Sequence, residues 1–374
     1  MYTKNRLTST FTLRSLLGNL DFTLLFAVLT LGIISIFAQY SSSGGEFDYH
    51  SRSHAIRFFV FFLVFLFTSM IQVSFWNRGS TLIYFLILLL LVLVDFFGLN
   101  SQGSQRWINL YVINLQPSEL MKISIILFLA NYYHRVSSSD INKFRYLMYP
   151  CIAMLAPFYL VVTQPDLGTA ILILITGFVV TWLAGVRWKI FAYLFLITCA
   201  TAPVAISFLK PYQKSRILTF LNPDLDPLGS GYQIIQSKIA IGSGGFFGKG
   251  FLNGSQSYLD FLPEKHTDFI FTLFSEEFGF FGSLVILLLY VLIVYRLVQI
   301  GHTTRSNFGK LYCYGFATAF FTYVAVNMGM VLGLLPIVGA PLPIMSYGGS
   351  SMMAIMFGLS IAMSCKIYKD SPVN

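Results

Sequence analysis

Long apolar runs separated by short polar segments dominate the sequence. A helix that crosses a membrane needs about 20 mostly apolar residues, and ten runs approach or reach that length. They predict helices at 21–39, 55–73, 80–98, 119–133, 146–163, 168–185, 189–209, 269–295, 311–334 and 344–365. Apolar and polar residues do not alternate with period two, so a β-barrel is not predicted. The pattern predicts an all-α polytopic membrane protein that forms a single domain over residues 1–374.

Composition narrows the class of protein further. Of 374 residues, 56% are hydrophobic and only 10% are charged, whereas soluble domains carry about 25% charged residues. So few charges could not cover the surface of a water-soluble protein. The composition excludes soluble, secreted and nucleic-acid-binding classes of protein. We therefore attribute the net charge of +9 to basic residues in the loops of a membrane protein.

The distribution of basic residues predicts the orientation. With the N-terminus in the cytoplasm, fourteen Lys and Arg residues fall in inside segments and four in short outside segments. Short cytoplasmic loops are enriched in Lys and Arg. We therefore expect both termini in the cytoplasm and a large extracytoplasmic loop, about 210–268, between the seventh and eighth spans.

This long loop contains a glycine-rich stretch that does not fit a nucleotide site. A phosphate-binding loop needs Gly-Lys followed by Ser or Thr, but Gly248-Lys249 is followed by Gly250. Glycines that let the backbone approach a neighbour closely explain the stretch better.

Ionisable residues at the ends of spans are candidates for function, because burying a charge in a membrane is costly. Asp268 precedes an apolar run, and Thr267 could be an N-cap that places Asp268 in the first helical turn. The alternative is an acidic residue that merely complements the helix dipole. The carboxylate faces outward, where a partly dry interface would raise its pKa.

Two further positions carry candidate chemistry, and each has a plain structural alternative. Glu119 and Lys122 share a helix face. They either form an internal ion pair, or Lys122 binds an anionic ligand while Glu119 orients the lysine. Arg106 is either an interface anchor or a phosphate contact. The histidines show no spacing typical of a metal site, so no metal ligand is predicted. The five histidines are His50, His54, His134, His266 and His302.

The C-terminal stretch 336–351 combines three prolines with small residues beside a predicted membrane interface. Irregular backbone at that depth is tolerated only where it is buried in protein or lines a cavity. The stretch therefore predicts a polar cavity that opens outward.

Six motifs together resemble the SEDS family (shape, elongation, division and sporulation) of bacterial peptidoglycan polymerases. The motifs span nearly the whole chain in the family's order: GSQRWI at 103–108, QPSE at 116–119, QPDLG at 164–168, KIAIGSGG at 238–245, FLPE and TDFIF at 261–271, and PLP with SYGGSS at 341–351. The short N-terminus and the glycine-rich run are more similar to the elongation branch of the family than to its division branch.

The resemblance implies a glycosyltransferase on the outer face of the bacterial inner membrane. It would join the disaccharide of lipid II to a nascent glycan strand and release undecaprenyl diphosphate, with Asp268 as general base on the acceptor hydroxyl. The Glu119–Lys122 pair and Arg216 also match family positions. The leaving diphosphate needs cations to neutralise its charge, and the available ones are Lys122, Arg216, Arg106, Lys210 and Lys214. Together with Glu119, which would orient Lys122, they are the candidate substrate-binding residues.

The resemblance also implies partners and a possible cofactor. A class B penicillin-binding protein and other membrane proteins of the elongation complex are the implied partners, and a divalent cation (Mg or Mn) is implied for some members. Two alternatives from other classes remain open on the residues alone, a flippase for the lipid-linked precursor and a scaffold of the elongation complex.

Overall fold

The computed structural model describes residues 13–101, 104–109, 114–207, 211–222, 230–255, 262 and 264–371. Helices dominate this part of the chain. In chain order they are α1 Leu13–Gly18, α2 Phe22–Ser42, α3 Tyr49–Ser69, α4 Val73–Phe97, α5 Pro117–Arg135, α6 Phe144–Thr163, α7 Leu167–Leu183, α8 Trp188–Ser207, α9 Pro211–Leu221, α10 Ser230–Ser243, α11 Ile270–Thr303, α12 Asn307–Val331 and α13 Gly349–Ile367.

The ten predicted spans correspond to α2–α8 and α11–α13. Seven of these helices, α2–α4, α6 and α11–α13, are long and apolar enough to cross a membrane. Helix α7 and the described apolar part of α8 are apolar but shorter. The chain is therefore a multi-pass membrane protein, as the hydrophobic pattern predicts.

The last two helices form the centre of the bundle. In α13, 78% of the most apolar stretch is buried inside the protein, and in α12 61%, against 28% in α3 and α4. A peripheral helix leaves large apolar side chains such as Phe67 and Phe85 exposed, where lipid rather than water is the expected neighbour. Helices α12 and α13 are thus surrounded by protein.

Polar side chains fix where several helices begin. Asp21, Asp48 and Asp166 are the N-caps of α2, α3 and α7, and each carboxylate accepts a hydrogen bond from a backbone N–H in the first turn. Such caps satisfy donors that have no partner within the helix. Asp166 therefore marks the start of α7.

Both ends of the described chain lie at one face of the bundle. The Tyr368 hydroxyl donates to the carbonyl of Met70 at 2.6 Å, and the backbone N–H of Arg305 donates to the carbonyl of Lys369 at 3.1 Å. Asp21 lies at the start of α2, and its carboxylate pairs with Arg296 near the end of α11. This is the face predicted to be cytoplasmic.

The structure contains a small sheet at the opposite face that the sequence did not predict. Strands β1 Leu99–Ser101, β2 Ser104–Asn109 and β3 Asn114–Leu115 form an antiparallel sheet between α4 and α5. The strands are too short for a two-residue alternation to stand out. Their role is positional, because β2 carries Arg106.

Helix α11 is broken near its outer end, and the glycine-rich stretch packs into the break. Gly279 has non-helical backbone angles (φ 63°, ψ −159°). Backbone N–H groups of Lys249 and Gly250 donate to the carbonyls of Glu276 and Glu277 at 3.0 and 2.9 Å. These glycines thus provide close backbone approach, as expected, and the two glutamates lie at the break.

The buried carboxylate of Glu276 also pairs with a lysine from the glycine-rich stretch. Lys249 Nζ lies 2.5 Å from Glu276 Oε1, and Glu276 is fully buried. The backbone N–H of Ser255 donates to the same oxygen at 3.0 Å. Glu276 therefore has a structural role.

Candidate functional site

A polar cavity of about 380 Å³ opens at the predicted outer face. Its walls come from β2, α5, α7, α9, α10, the turn before α11 and the irregular stretch 336–351. The charged residues that line it are Arg106, Glu119, Asp166, Arg216, Glu264 and Asp268. The structure thus places a cavity beside the C-terminal stretch, as the sequence predicted.

Asp268 lies in a turn and not in the first turn of a helix. Helix α11 begins at Ile270, and its N-cap is Phe269, which makes no side-chain cap. The predicted capping role of Thr267 is therefore wrong. The Thr267 hydroxyl instead donates to Glu264 Oε2 at 3.0 Å, and the turn leaves Asp268 partly exposed in the cavity wall.

The backbone of Asp268 is held by a buried amide from α12. Asn327 is fully buried, and its Nδ2 donates to the carbonyl of Asp268 at 2.9 Å and to the carbonyl of Ala340 at 2.7 Å. One side chain therefore joins the turn before α11 to the irregular stretch. Sequence reasoning missed Asn327, although a polar residue within an apolar span is a signal of function.

The two carbonyls before Asp268 are also hydrogen bonded to other elements. The Ser346 hydroxyl donates to the carbonyl of Thr267 at 2.6 Å. The carbonyl of His266 accepts from the backbone N–H of Tyr347 and from Gln39 Nε2, both at 2.8 Å. Three consecutive carbonyls are thus fixed by α2, α12 and the irregular stretch, which pre-organises the carboxylate.

The surroundings of Asp268 favour its protonated form. Burial in the cavity wall and the nearby carboxylate of Glu264 raise the pKa of Asp268 to about 7, against the opposing effect of the Arg216 guanidinium. A carboxylate with a raised pKa is a stronger proton acceptor than an ordinary aspartate.

The two cavity arginines are oriented by backbone carbonyls. Arg106 Nε donates to the carbonyl of Gln164 at 3.0 Å, and Arg106 Nη1 lies 3.9 Å from Asp166 Oδ2. Arg216 Nη1 donates to the carbonyl of Ile337 at 3.0 Å. Both guanidinium groups line the cavity that holds Asp268.

Glu119 and Lys122 form a buried ion pair at the edge of the cavity. Lys122 Nζ lies 2.7 Å from Glu119 Oε1 and 4.0 Å from the ring centroid of Tyr323. Glu119 lines the cavity, whereas Lys122 is 1% exposed and lies outside the lining. The internal ion pair is what the structure shows, with Glu119 between the lysine and the cavity.

The remaining two candidate cations are not part of the described cavity wall. Lys214 Nζ donates to the carbonyl of Ser207 at 3.0 Å and does not line the cavity. Lys210 lies outside the described residues. The structure therefore brings together Asp268, Glu119, Arg106 and Arg216.

The described cavity residues do not form a preformed cation cage. Among the residues that the structure describes, the one group of three or more His, Cys, Asp or Glu side chains within metal-ligand reach contains none of the cavity carboxylates. Within the described part of the chain, the cavity carboxylates therefore do not by themselves assemble a protein-only Mg or Mn site.

Comparisons with known proteins agree with the motifs. Residues 18–371 match the family model FTSW_RODA_SPOVE, described as cell cycle protein. The chain is 40% identical to the peptidoglycan glycosyltransferase MrdB of Escherichia coli K12 over 352 residues, 94% of each chain. It is also 37% identical to the stage V sporulation protein E of Bacillus subtilis over 294 residues, 78% of this chain and 79% of that protein.

Solved structures show the same fold. A chain from a study of how a peptidoglycan synthase complex coordinates polymerization and crosslinking superposes with a TM-score of 0.80 at 30% identity, covering 94% of this chain and 99% of that one. The rod shape determining protein RodA of Thermus thermophilus superposes with a TM-score of 0.71 at 25% identity, covering 94% and 98%. The family model matches residues 18–371, which is nearly the whole chain, and the family's motifs line the cavity. The chain therefore belongs to the FTSW_RODA_SPOVE family of cell cycle proteins.

Proposed function

We propose that the chain is a peptidoglycan glycosyltransferase that polymerises lipid II on the outer face of the bacterial inner membrane during cell elongation. The relatives named as peptidoglycan glycosyltransferases support the reaction class. The observation that supports the residue assignment is the position of Asp268. Its carboxylate shares a cavity with two arginines, and the backbone around it is fixed by hydrogen bonds to three consecutive carbonyls.

Asp268 acts as the general base. The acceptor sugar hydroxyl donates its proton to the Asp268 carboxylate as its oxygen forms a bond to the anomeric carbon of the donor disaccharide. The bond between that carbon and the diphosphate oxygen breaks, and undecaprenyl diphosphate leaves with the electron pair. A positioned base contributes about 10²–10⁴-fold to the rate of such a step.

Arg106 and Arg216 stabilise the charge that develops on the leaving diphosphate. Each retains further guanidinium donors beyond the bonds that orient it, because a guanidinium carries five N–H groups. Planar arginines suit the oxygens of a phosphate group. Glu119, held by Lys122, is placed to bind a hydroxyl or amide of the substrate, while the buried Lys122 sets its charge and orientation.

We also propose a class B penicillin-binding protein as a partner of this chain. The support is the likeness to a chain from a peptidoglycan synthase complex in which polymerization is coordinated with crosslinking. Lipid-facing helices such as α3 and α4 leave apolar surface on which the membrane helix of a partner could pack.

The direct test is purified protein in vesicles that contain lipid II. We expect wild type to form glycan strands and Asp268→Asn to form them about 10²–10⁴-fold more slowly, with both proteins equally inserted. Asp140→Asn is the matched control, because Asp140 pairs with Lys143 near the predicted inner face.

Two outcomes would contradict the proposal. If wild type moves lipid II across vesicles but never polymerises it, the flippase alternative holds. If Asp268→Asn polymerises at the wild-type rate, the base assignment is wrong, although the enzyme class would stand.

A further inference from the structure

One isoleucine in the irregular stretch 336–351 has a backbone conformation that its own side chain disfavours. Ile344 has a φ of 68°, in the left-handed region that β-branched residues rarely adopt. Its side chain is buried. A residue of this kind keeps such a conformation only where the surrounding structure imposes it.

The carbonyl groups on both sides of Ile344 are bonded to membrane-spanning helices. The carbonyl of Pro343 accepts a hydrogen bond from the Tyr290 hydroxyl of α11 at 2.7 Å. The carbonyl of Met345 accepts one from Gln39 Nε2 of α2 at 3.1 Å. Tyr290 and Gln39 are both buried. These two bonds hold the chain in the conformation that Ile344 disfavours.

Ile344 lies in the middle of a turn that joins Leu342 to Ser346. The backbone N–H of Ser346 donates to the carbonyl of Leu342 at 3.0 Å, and the backbone N–H of Leu342 donates to Ser346 Oγ at 2.7 Å. The Ser346 hydroxyl, which is thus an acceptor on one side, donates its single proton to the carbonyl of Thr267 at 2.6 Å. The turn therefore sets the direction in which Ser346 donates.

The turn also places the next residue against the segment that carries the catalytic carboxylate. The backbone N–H of Tyr347 donates to the carbonyl of His266 at 2.8 Å. Ser346 and Tyr347 thus bind the two carbonyls that come directly before Asp268. A change in the backbone angles of Ile344 would move both donors, and Asp268 would move with them.

We propose that Ile344 is a positioning residue for Asp268, and that its left-handed backbone restricts the movement of the turn from Leu342 to Ser346. In this region a residue with a Cβ is confined to a small range of φ and ψ, whereas glycine has a wide range. The isoleucine therefore lowers stability but fixes the two donors. Ile344 itself does not line the cavity, and its role rests on the proposed function.

The test compares glycine with alanine at this position in the purified full-length chain. Ile344→Ala and Ile344→Gly lose nearly the same side-chain packing, but only glycine releases the backbone restriction. Glycine usually makes a protein less stable than alanine does, whereas at a positive φ alanine is the destabilising residue. We therefore expect Ile344→Gly to unfold at a higher temperature than Ile344→Ala.

Polymerisation should follow the opposite order. We expect kcat per folded molecule, at saturating lipid II, to be about 10-fold lower in Ile344→Gly than in Ile344→Ala, because a misplacement of about 1 Å in a catalytic group can cost about 10²-fold. The KM for lipid II should be nearly the same in both. Ile344→Val keeps a branched side chain and should retain the wild-type kcat. A purely structural role would instead make the less stable variant the less active one.

Ile141 provides the matched control. It is a buried isoleucine in a turn between α5 and α6, near the predicted inner face, and its φ is not positive. Ile141→Gly should therefore unfold at a lower temperature than Ile141→Ala, and the two variants should have the same kcat per folded molecule.

Two results would overturn the inference about Ile344 alone. One is an equal kcat for Ile344→Gly and Ile344→Ala in an enzyme that is active as wild type, and the other is a lower unfolding temperature for Ile344→Gly than for Ile344→Ala. A wild-type chain that forms no glycan strands would overturn the proposed function as well, so the two failures are distinguishable.

Discussion

Replacing Asn327 with leucine tests whether Asp268 is pre-organised by its hydrogen-bonded backbone. Leucine has the same number of side-chain heavy atoms and the same branching as asparagine, but it has no donor. The change removes the bonds from Nδ2 to the carbonyls of Asp268 and Ala340 at 2.9 and 2.7 Å. The Asp268 side chain itself is untouched.

The magnitude follows from the two carbonyls left without their donor. Each unsatisfied buried acceptor costs about 1–3 kcal/mol, so the free energy of unfolding should fall by about 2–6 kcal/mol. The rate should fall as well, because a misplacement of about 1 Å in a catalytic group can cost about 10²-fold. We expect kcat for polymerisation to fall far more than the apparent affinity for lipid II.

Asn131→Leu supplies a matched control for the loss of a buried amide. Asn131 is 2% exposed on α5, its Nδ2 donates to the carbonyl of Asn77 at 2.7 Å, and it lies toward the cytoplasmic end, away from the cavity. Both variants should lower the unfolding temperature, but only Asn327→Leu should lower kcat per folded molecule. Equal losses of kcat in the two variants would refute the reasoning.

Two further variants test the cavity. A Cβ at Gly339 would be in ordinary van der Waals contact with Asp268 Oδ2, at 3.6 Å. Gly339→Ala should therefore slow polymerisation about 10-fold, because the new methyl group occupies space beside the oxygen that the acceptor hydroxyl must reach. Gly44→Ala, with a similar positive φ and open space around it, should leave the rate unchanged, and similar rates for the two would contradict this reasoning. For the buried pair, Lys122→Met alone should destabilise by about 3–5 kcal/mol, and adding Glu119→Gln should restore most of that stability in thermal unfolding. A double variant no more stable than the single one would disprove the pairing.

The hydrophobic pattern predicted the helices well, because each apolar run long enough to cross a membrane has few alternatives to a helix. It could not predict the break at Gly279, since the cause is a distant glycine-rich stretch whose backbone bonds to the carbonyls of Glu276 and Glu277. It also missed the sheet that carries Arg106, because three short strands leave little periodicity.

The site was predictable only in part, for reasons visible at particular residues. Asp268 could be identified because an ionisable residue beside an apolar run is costly to bury. The position of Lys122 behind Glu119 depends on packing between helices, which sequence spacing does not encode. The left-handed backbone of Ile344 likewise depends on the fold alone.

The most direct measurement is the rate of polymerisation at saturating lipid II for Asp268→Asn, together with the affinity of the same protein for lipid II. The account predicts a rate lower than that of wild type by about 10²–10⁴-fold, with nearly unchanged binding, since the isosteric amide preserves shape but cannot accept the proton as a carboxylate does. A variant that turns over at the wild-type rate, or one whose defect is entirely in binding, would contradict it.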